Sequence, residues 1–286
     1  MDLAVLDDLG AHVSVAGGLA KAFERAEEIG AKTIQVFVKN QRQWRWRPLG
    51  DWEQGLWWRM RRQSEVREIF AHGTYLLNFA SEDDGIFQRS IDTLREELWR
   101  ASVLGIRGVI FHPGSSEAPI EQAADRIASG LAEVDRDPRT HGALIVLENV
   151  AGQGNTVGRS FEQLRAIIDA CPPETAERVG VCLDTCHLFA AGYDLRTPEA
   201  VRETFEAFDR VLGHSRLVAL HYNDSQGELG SRLDRHASIG KGKIGLEGFR
   251  ALLAYEPTVG IAKILETPTE NDGHRRDLET LRSLVV

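Results

Sequence analysis

The segment VGVCLDTCHLFAAGYDL, residues 179–195, stays apolar until Asp184, and His187 follows three residues later. A carboxylate and an imidazole at the mouth of a buried strand are ligand types that suit Zn²⁺ or Mn²⁺ better than Ca²⁺, Mg²⁺ or an iron–sulfur cluster. The pattern recurs along the chain. Short apolar runs lie near 9–13, 33–38, 67–71, 108–111, 144–147, 179–183, 217–220 and 262–265. The polar residues just past them are His12, Lys39, His72, His112, Glu148, Asp184, His221 and Glu266. Asp234 and His236, in GSRLDRHASIG, add two groups of the same kind. A single His or Asp at a strand end usually serves a hydrogen bond in a turn, whereas six around one ring point to an ion. Cys182 shares a strand face with Asp184 but lies deep enough to act as a small core residue. No second CxxC-type unit accompanies Cys182 and Cys186, so neither is expected to be a ligand.

Those ends need strands to carry them. Between the apolar runs lie helical patterns near 19–29, 52–66, 86–104, 121–135, 160–170, 198–212 and 273–284. Thr197 precedes Pro198 as an N-cap does a first helical residue. Eight apolar runs alternating with helices predict βα units and a parallel sheet buried on both faces. The expected fold is therefore α/β, a (β/α)8 TIM barrel, whose active face is built where the strands run into their βα loops. No linker or composition shift divides the 286 residues, so one domain over 1–286 is expected, with 1–8 as an extra N-terminal segment.

Composition narrows the setting. No apolar run reaches the length of a membrane span. The N-terminal MDLAVLDDLG lacks the basic start of a signal peptide, and three cysteines are too few for a secreted disulfide framework, so a cytoplasmic protein is expected. The net charge of −9 weighs against nucleic acid as a partner, but it is an average that a local basic face or bound cations can reverse. KNQRQWRWRP, residues 39–48, is such a face: Arg42, Arg45 and Arg47 alternate with Trp44 and Trp46. That mixture suits phosphate contact and stacking; it also suits a solvated loop with a Trp anchored on the barrel.

In order along the chain, GAHVSVAGGL, KNQRQW, HGTYLLN, FHPGS, LENVAGQG, GVCLDTCHLFAAGYDL, HYNDS, GSRLDRH and ILETP resemble the motifs of the endonuclease IV family. These are zinc-dependent apurinic/apyrimidinic endonucleases on a TIM barrel, and the resemblance runs from about residue 9 to 268. It implies three zinc ions, with manganese acceptable at one position. His72, His112 and Glu148 would hold the first; Glu148, Asp184, His221 and Glu266 the second, with Glu148 bridging; His187, Asp234 and His236 the third. Asp184 and His187 would thus serve two different ions. Glu148 and Glu266 would be the catalytic carboxylates, Glu266 also accepting a proton. The implied activity is hydrolysis of duplex DNA 5′ to an abasic site by a trinuclear zinc mechanism, leaving a 3′-hydroxyl and a 5′-deoxyribose phosphate, together with cleaning of blocked 3′ ends. Arg42, Tyr75 and Leu76 match the loops that enter the duplex at the lesion, and the protein is expected to act as a monomer. Three positions depart from the bacterial pattern: Gly73 where Asp is common, Gln226 where Lys is common, and Ala237 where a second His often follows.

The rival enzyme is a metal-dependent sugar isomerase or epimerase on the same barrel. It would need one or two metals and a compact pocket, so the third ligand set and the Arg/Trp loop count against it. A non-catalytic DNA-binding scaffold would be free to lose ligand residues, and here all nine positions are filled.

Overall fold

The computed structural model describes residues 3–285; residues 1 and 2 of the expected N-terminal segment lie outside these. Eight parallel strands close into a barrel in the order β1-β10-β7-β6-β5-β4-β3-β2. They are β1 (Leu9–His12), β2 (Thr33–Val36), β3 (Glu68–His72), β4 (Gly108–Phe111), β5 (Leu144–Glu148), β6 (Val179–Asp184), β7 (Leu217–His221) and β10 (Ala262–Leu265). A two-stranded antiparallel hairpin, β8 (Asp224–Ser225) with β9 (His236–Ala237), stands on the loop between β7 and β10.

The surrounding helices are α1 (Lys21–Ile29), α2 (Asp51–Gln63), α3 (Asp84–Leu104), α4 (Ile120–Asp135), α5 (Phe161–Ala170), α6 (Pro173–Glu177), α7 (Thr185–Ala191), α8 (Pro198–Leu212), α9 (Gly245–Ala254) and α10 (Gly273–Ser283). The sequence pattern misses α6, α7 and α9, of which the first two are too short to show a full amphipathic period. Local chemistry sets the ends of the longer ones. Asp83 accepts a hydrogen bond from the Ile86 N–H at 2.9 Å and so caps α3, and Thr197 caps α8 ahead of Pro198. Helix α8 then buries Val201, Phe205, Phe208 and Leu212 as one stripe, each worth roughly 1.5–3 kcal/mol of transfer free energy.

Strand parity places the site. Phe70, Ile110, Val146, Cys182, Ala219 and Ile264 pack together as an apolar layer inside the barrel. Two residues further along the same six strands come His72, His112, Glu148, Asp184, His221 and Glu266. Side chains two apart share a strand face, so the apolar layer forms the floor and the polar residues the next layer up. On β1, Gly10 fits because a side chain there would meet the Thr33 carbonyl oxygen of β2 at 1.5 Å. Among the described residues, no helix is long and apolar enough to cross a membrane.

Candidate metal centre

Glu148, fully buried at the end of β5, is the hub of the upper layer. Its Oε2 lies 3.2 Å from His72 Nε2 and 3.3 Å from His112 Nε2, and its Oε1 lies 3.1 Å from His221 Nδ1 and 3.3 Å from His187 Nδ1. Glu266 adds its Oε2 at 3.2 Å from His221 Nδ1. Asp184 ends β6 and caps α7 at once. Its Oδ1 accepts the His187 N–H at 2.9 Å, and its Oδ2 accepts from Asn223 Nδ2 at 2.6 Å. The chain therefore turns between Asp184 and His187, and the imidazole swings away to put Nε2 3.3 Å from Asp234 Oδ1.

Asp234 and His236 come from the hairpin loop, which is organised by buried Asp224. Its carboxylate accepts N–H bonds from Gly240, Gly242 and Ile244 at 2.9–3.0 Å, turning the chain back over the barrel mouth. His236 donates from Nδ1 to the Glu266 carbonyl at 3.1 Å, which leaves Nε2 3.6 Å from both Asp184 Oδ2 and Asp234 Oδ1.

Among the described residues, potential ligand atoms converge within 4.8 Å of one another in four groups. Three are His72–His112–Glu148, Glu148–Asp184–His221–Glu266 and His187–Asp234–His236. The fourth, Asp184–Cys186–His236, is one that sequence reasoning set aside. Burial pushes the Cys186 thiol up to about 12, and its sulfur contacts the Arg235 carbonyl at 3.6 Å.

The electrostatics ask for positive charge. Burial alone would push the His72, His187 and His221 imidazoles down. Instead all three are raised: His72 by its hydrogen bond to Glu148, His187 by Asp184 and Asp234, and His221 by Cys182, Glu266 and Glu148. Burial likewise works against charge on Glu148 and Glu266, yet the imidazoles, His221 foremost, hold both well below the usual carboxylate range. Asp234 is brought down to about 2 by His187 despite its own burial. Protons here fill places that a cation would fill. Among the described residues the buried His236 Nε2 has no hydrogen-bond partner, and an unpaired imidazole nitrogen facing two carboxylates suits a metal ion. The donor set of imidazoles and carboxylates fits divalent ions of the zinc type.

A cavity of about 350 Å³ opens over this layer, lined by His72, His112, His187, Asp234, His236, Glu266 and Tyr75 among others. It adjoins a groove of about 890 Å³ that shares His12, Phe37 and Thr269 and runs on past Lys39, Arg45 and Trp46. Tyr75 is 64% exposed at the rim and Arg42 is exposed beside it, while Leu76 is half-buried. Their loops are fastened together, since the Gln41 carbonyl accepts from both Thr74 Oγ1 at 2.5 Å and Tyr75 N at 3.2 Å.

One sequence expectation needs correction, and the neighbouring loops take definite places. Lys39 does not join the ring; it lies past the end of β2 and donates to the Gln43 carbonyl at 2.6 Å. Arg47 pairs with Glu53 at 3.0 Å, and Trp44 lies 5.4 Å under the Arg89 guanidinium, so Trp44 is the anchored one. Trp46 remains exposed. Gly73 is enclosed: a Cβ would sit 2.9 Å from Leu77 Cδ1 and 3.0 Å from Phe111 Cβ. Gln226 donates to the His236 carbonyl at 2.9 Å, and Ala237 is buried. Sequence reasoning missed Asn149 and Asn223. Asn149 Oδ1 accepts the Asp184 N–H at 2.7 Å, and Asn223 Oδ1 accepts the Glu266 N–H at 2.8 Å. Their positions next to Glu148 and two past His221 were the available signal.

The family model described as xylose isomerase-like TIM barrel matches residues 23–284. A protein of Halorhodospira halophila named probable endonuclease 4 is 43% identical, with 97% of this chain and 93% of the relative covered. An apurinic-apyrimidinic endonuclease of Caenorhabditis elegans is 42% identical over 91% of this chain and 66% of its own. The crystal structure of endonuclease IV from Thermus thermophilus superposes with a TM-score of 0.84 at 34% identity, covering 96% of this chain and 98% of that one. With likeness of that extent in both sequence and structure, the chain belongs to the endonuclease IV family.

Proposed function

We propose that this protein is a metal-dependent DNA-repair endonuclease. It cleaves duplex DNA on the 5′ side of abasic sites, leaving a 3′-hydroxyl and a 5′-deoxyribose phosphate, and also trims blocked 3′ ends. The observation that carries this reading is the set of three ligand groups, two sharing Glu148 and the third reaching Asp184 through His236 at 3.6 Å, beneath an open cavity. Zinc fits all three groups, and when bound it supplies charge neutralisation at phosphate oxygens and water acidic enough to attack at neutral pH.

The chain's own residues do the rest. Glu148 is shared between two groups and fixes their spacing, while Glu266, 19% exposed at the cavity, can take a proton from the attacking water at its carboxylate. His187, Asp234 and His236 also line the cavity, and would hold there a divalent ion that neutralises the departing 3′ oxygen. Arg42 meets phosphate, and Tyr75 with Leu76 enters the duplex where the base is missing, holding the abasic nucleotide out of the stack.

The sugar isomerase or epimerase reading shares this barrel. The third ligand group and the groove of about 890 Å³ beyond the cavity favour a polymer over a compact sugar. The test is a duplex carrying one abasic analogue, with products sized on a gel and metal measured in the same sample. Incision 5′ to the lesion with about three ions per chain is expected, following the three ligand groups. An active, saturated sample holding at most one ion overturns the three-ion centre, and failure to incise overturns the nuclease reading.

A further inference from the structure

Gln35 lies in β2 with its side chain fully buried, directed into the barrel beneath the site. Its carboxamide touches three groups, two on the strands β1 and β7 and one just past β10. Oε1 lies 2.9 Å from His221 Nε2, while Nε2 lies 2.6 Å from Glu266 Oε1 and 2.9 Å from His12 Nδ1. The sense of the amide follows from chemistry. Turning it over would set its oxygen against the Glu266 carboxylate, so the NH₂ must face that side and the oxygen must face His221. Both amide hydrogens and the oxygen are then used, His12 accepting at Nδ1, Glu266 accepting at Oε1 and His221 donating from Nε2.

Three other imidazoles of the centre are steered differently. His72, His187 and His236 each direct Nδ1 at a backbone carbonyl, of Gly73 at 2.7 Å, Asn149 at 2.9 Å and Glu266 at 3.1 Å respectively. His221 instead has its second nitrogen held by a side chain, the Gln35 carboxamide. With Nε2–H committed there, the nitrogen turned toward Glu148 and Glu266 is Nδ1.

We propose that Gln35 is a positioning residue: its carboxamide fixes the ring nitrogen that His221 presents and the carboxylate orientation of Glu266, and so sets the metal affinity of the Glu148–Asp184–His221–Glu266 group. This rests on the reading of the site as a metal centre. Loss of such an orienting hydrogen bond typically weakens metal binding by about 10–100-fold. The effect spares the His187–Asp234–His236 group, which among the described residues takes no hydrogen bond from Gln35.

The experiment compares wild type with Gln35→Met, which keeps the bulk and removes the hydrogen bonds. Gln35→Glu is the near-isosteric second variant, which removes the donor to Glu266 and sets a like charge beside it. Two readouts are taken: zinc occupancy at each position by anomalous scattering during chelator competition, and exchange of the His221 Nε2 proton by NMR, with and without zinc. In both variants, zinc is expected to leave the four-residue group at about 10–100-fold lower chelator concentration, with the third position retained. The slowly exchanging His221 Nε2 proton is expected in wild type and lost in Gln35→Met. Should Gln35→Met fail to fold, zinc release from Gln35→Glu decides. Wild-type zinc behaviour in the folded variants, or equal loss from every position, overturns the assignment to Gln35. A wild type that binds no zinc yet protects the proton overturns the metal reading and leaves the hydrogen-bond assignment standing.

Discussion

Glu97 offers the sharpest test of how the loop bearing Tyr75 is held. It lies on α3, 1% exposed, with Oε1 accepting the Thr74 N–H at 3.1 Å and Oε2 without a hydrogen-bond partner. Burial pushes its carboxyl up to about 7 from 4.5, despite the nearby Lys39 charge. A carboxyl raised on folding is held more tightly by the native state as the acid, so the native protein binds more protons between the two values. Stability therefore falls as pH rises from about 4.5 to about 7, with the full cost present above 7. At 1.36 kcal/mol per pH unit, the shift amounts to about 3 kcal/mol. Glu97→Gln keeps the acceptor for Thr74 and mimics the neutral acid, so it should match wild type near pH 4.5 and exceed its stability by about 3 kcal/mol near pH 8. Urea unfolding with excess chelator, repeated from pH 4.5 to 8, removes metal linkage and reads the difference directly. A difference between the two proteins that stays constant across that range would refute the reasoning, because Glu97 would then not be titrating where burial places it.

Further substitutions separate the groups of the centre. His187→Ala should empty the position it shares with Asp234 and His236 and lower single-turnover incision by about 10²–10³. Asp184→Ala should disturb the group containing Glu148, and anomalous scattering that finds the same position emptied by both would contradict the separation. Arg42→Ala and Tyr75→Ala should weaken incision of abasic duplex at subsaturating enzyme with metal content unchanged. Arg42→Ala should also flatten the salt dependence of DNA binding by about one unit of slope, and wild-type incision in either variant would remove these loops from the substrate contact.

The barrel was legible because its strands are buried on both faces and read as apolar runs, and because polar residues end nearly all of them. Parity explains why the reading reached the right depth: Cys182 and Asp184 share a face, one in the floor and one in the site. Lys39 misled because the apolar run continues through Val38 while β2 ends at Val36, so the counted strand end lies beyond the real one. Gln35 escaped notice for the opposite reason. A lone polar residue inside TIQVFV looks like an interruption until neighbouring strands supply His12, His221 and Glu266. The hairpin loop carries no helical or strand period, so its path depends on Asp224 gathering N–H groups from residues 240–245, a contact that no local pattern announces.

The seam of the barrel joins the first strand to the last, with Leu9, Gly10 and Ala11 registered against Lys263, Ile264 and Leu265. The two sides of that seam lie about 250 residues apart in sequence, so one is made well before the other. Glu266 follows the closing strand directly, so the four-residue group with Glu148 is incomplete on any nascent chain that has not paired β10. An ion in the four-residue group could not template this fold from its early segments as one does in a zinc finger, whose ligands are close in sequence. Protons on the raised imidazoles would balance the buried carboxylates of the metal-free barrel, and uptake of an ion would expel the protons that held its place. Loading of the four-residue group would thereby be a late exchange of protons for metal in a finished barrel, and acidification of the medium would disfavour it.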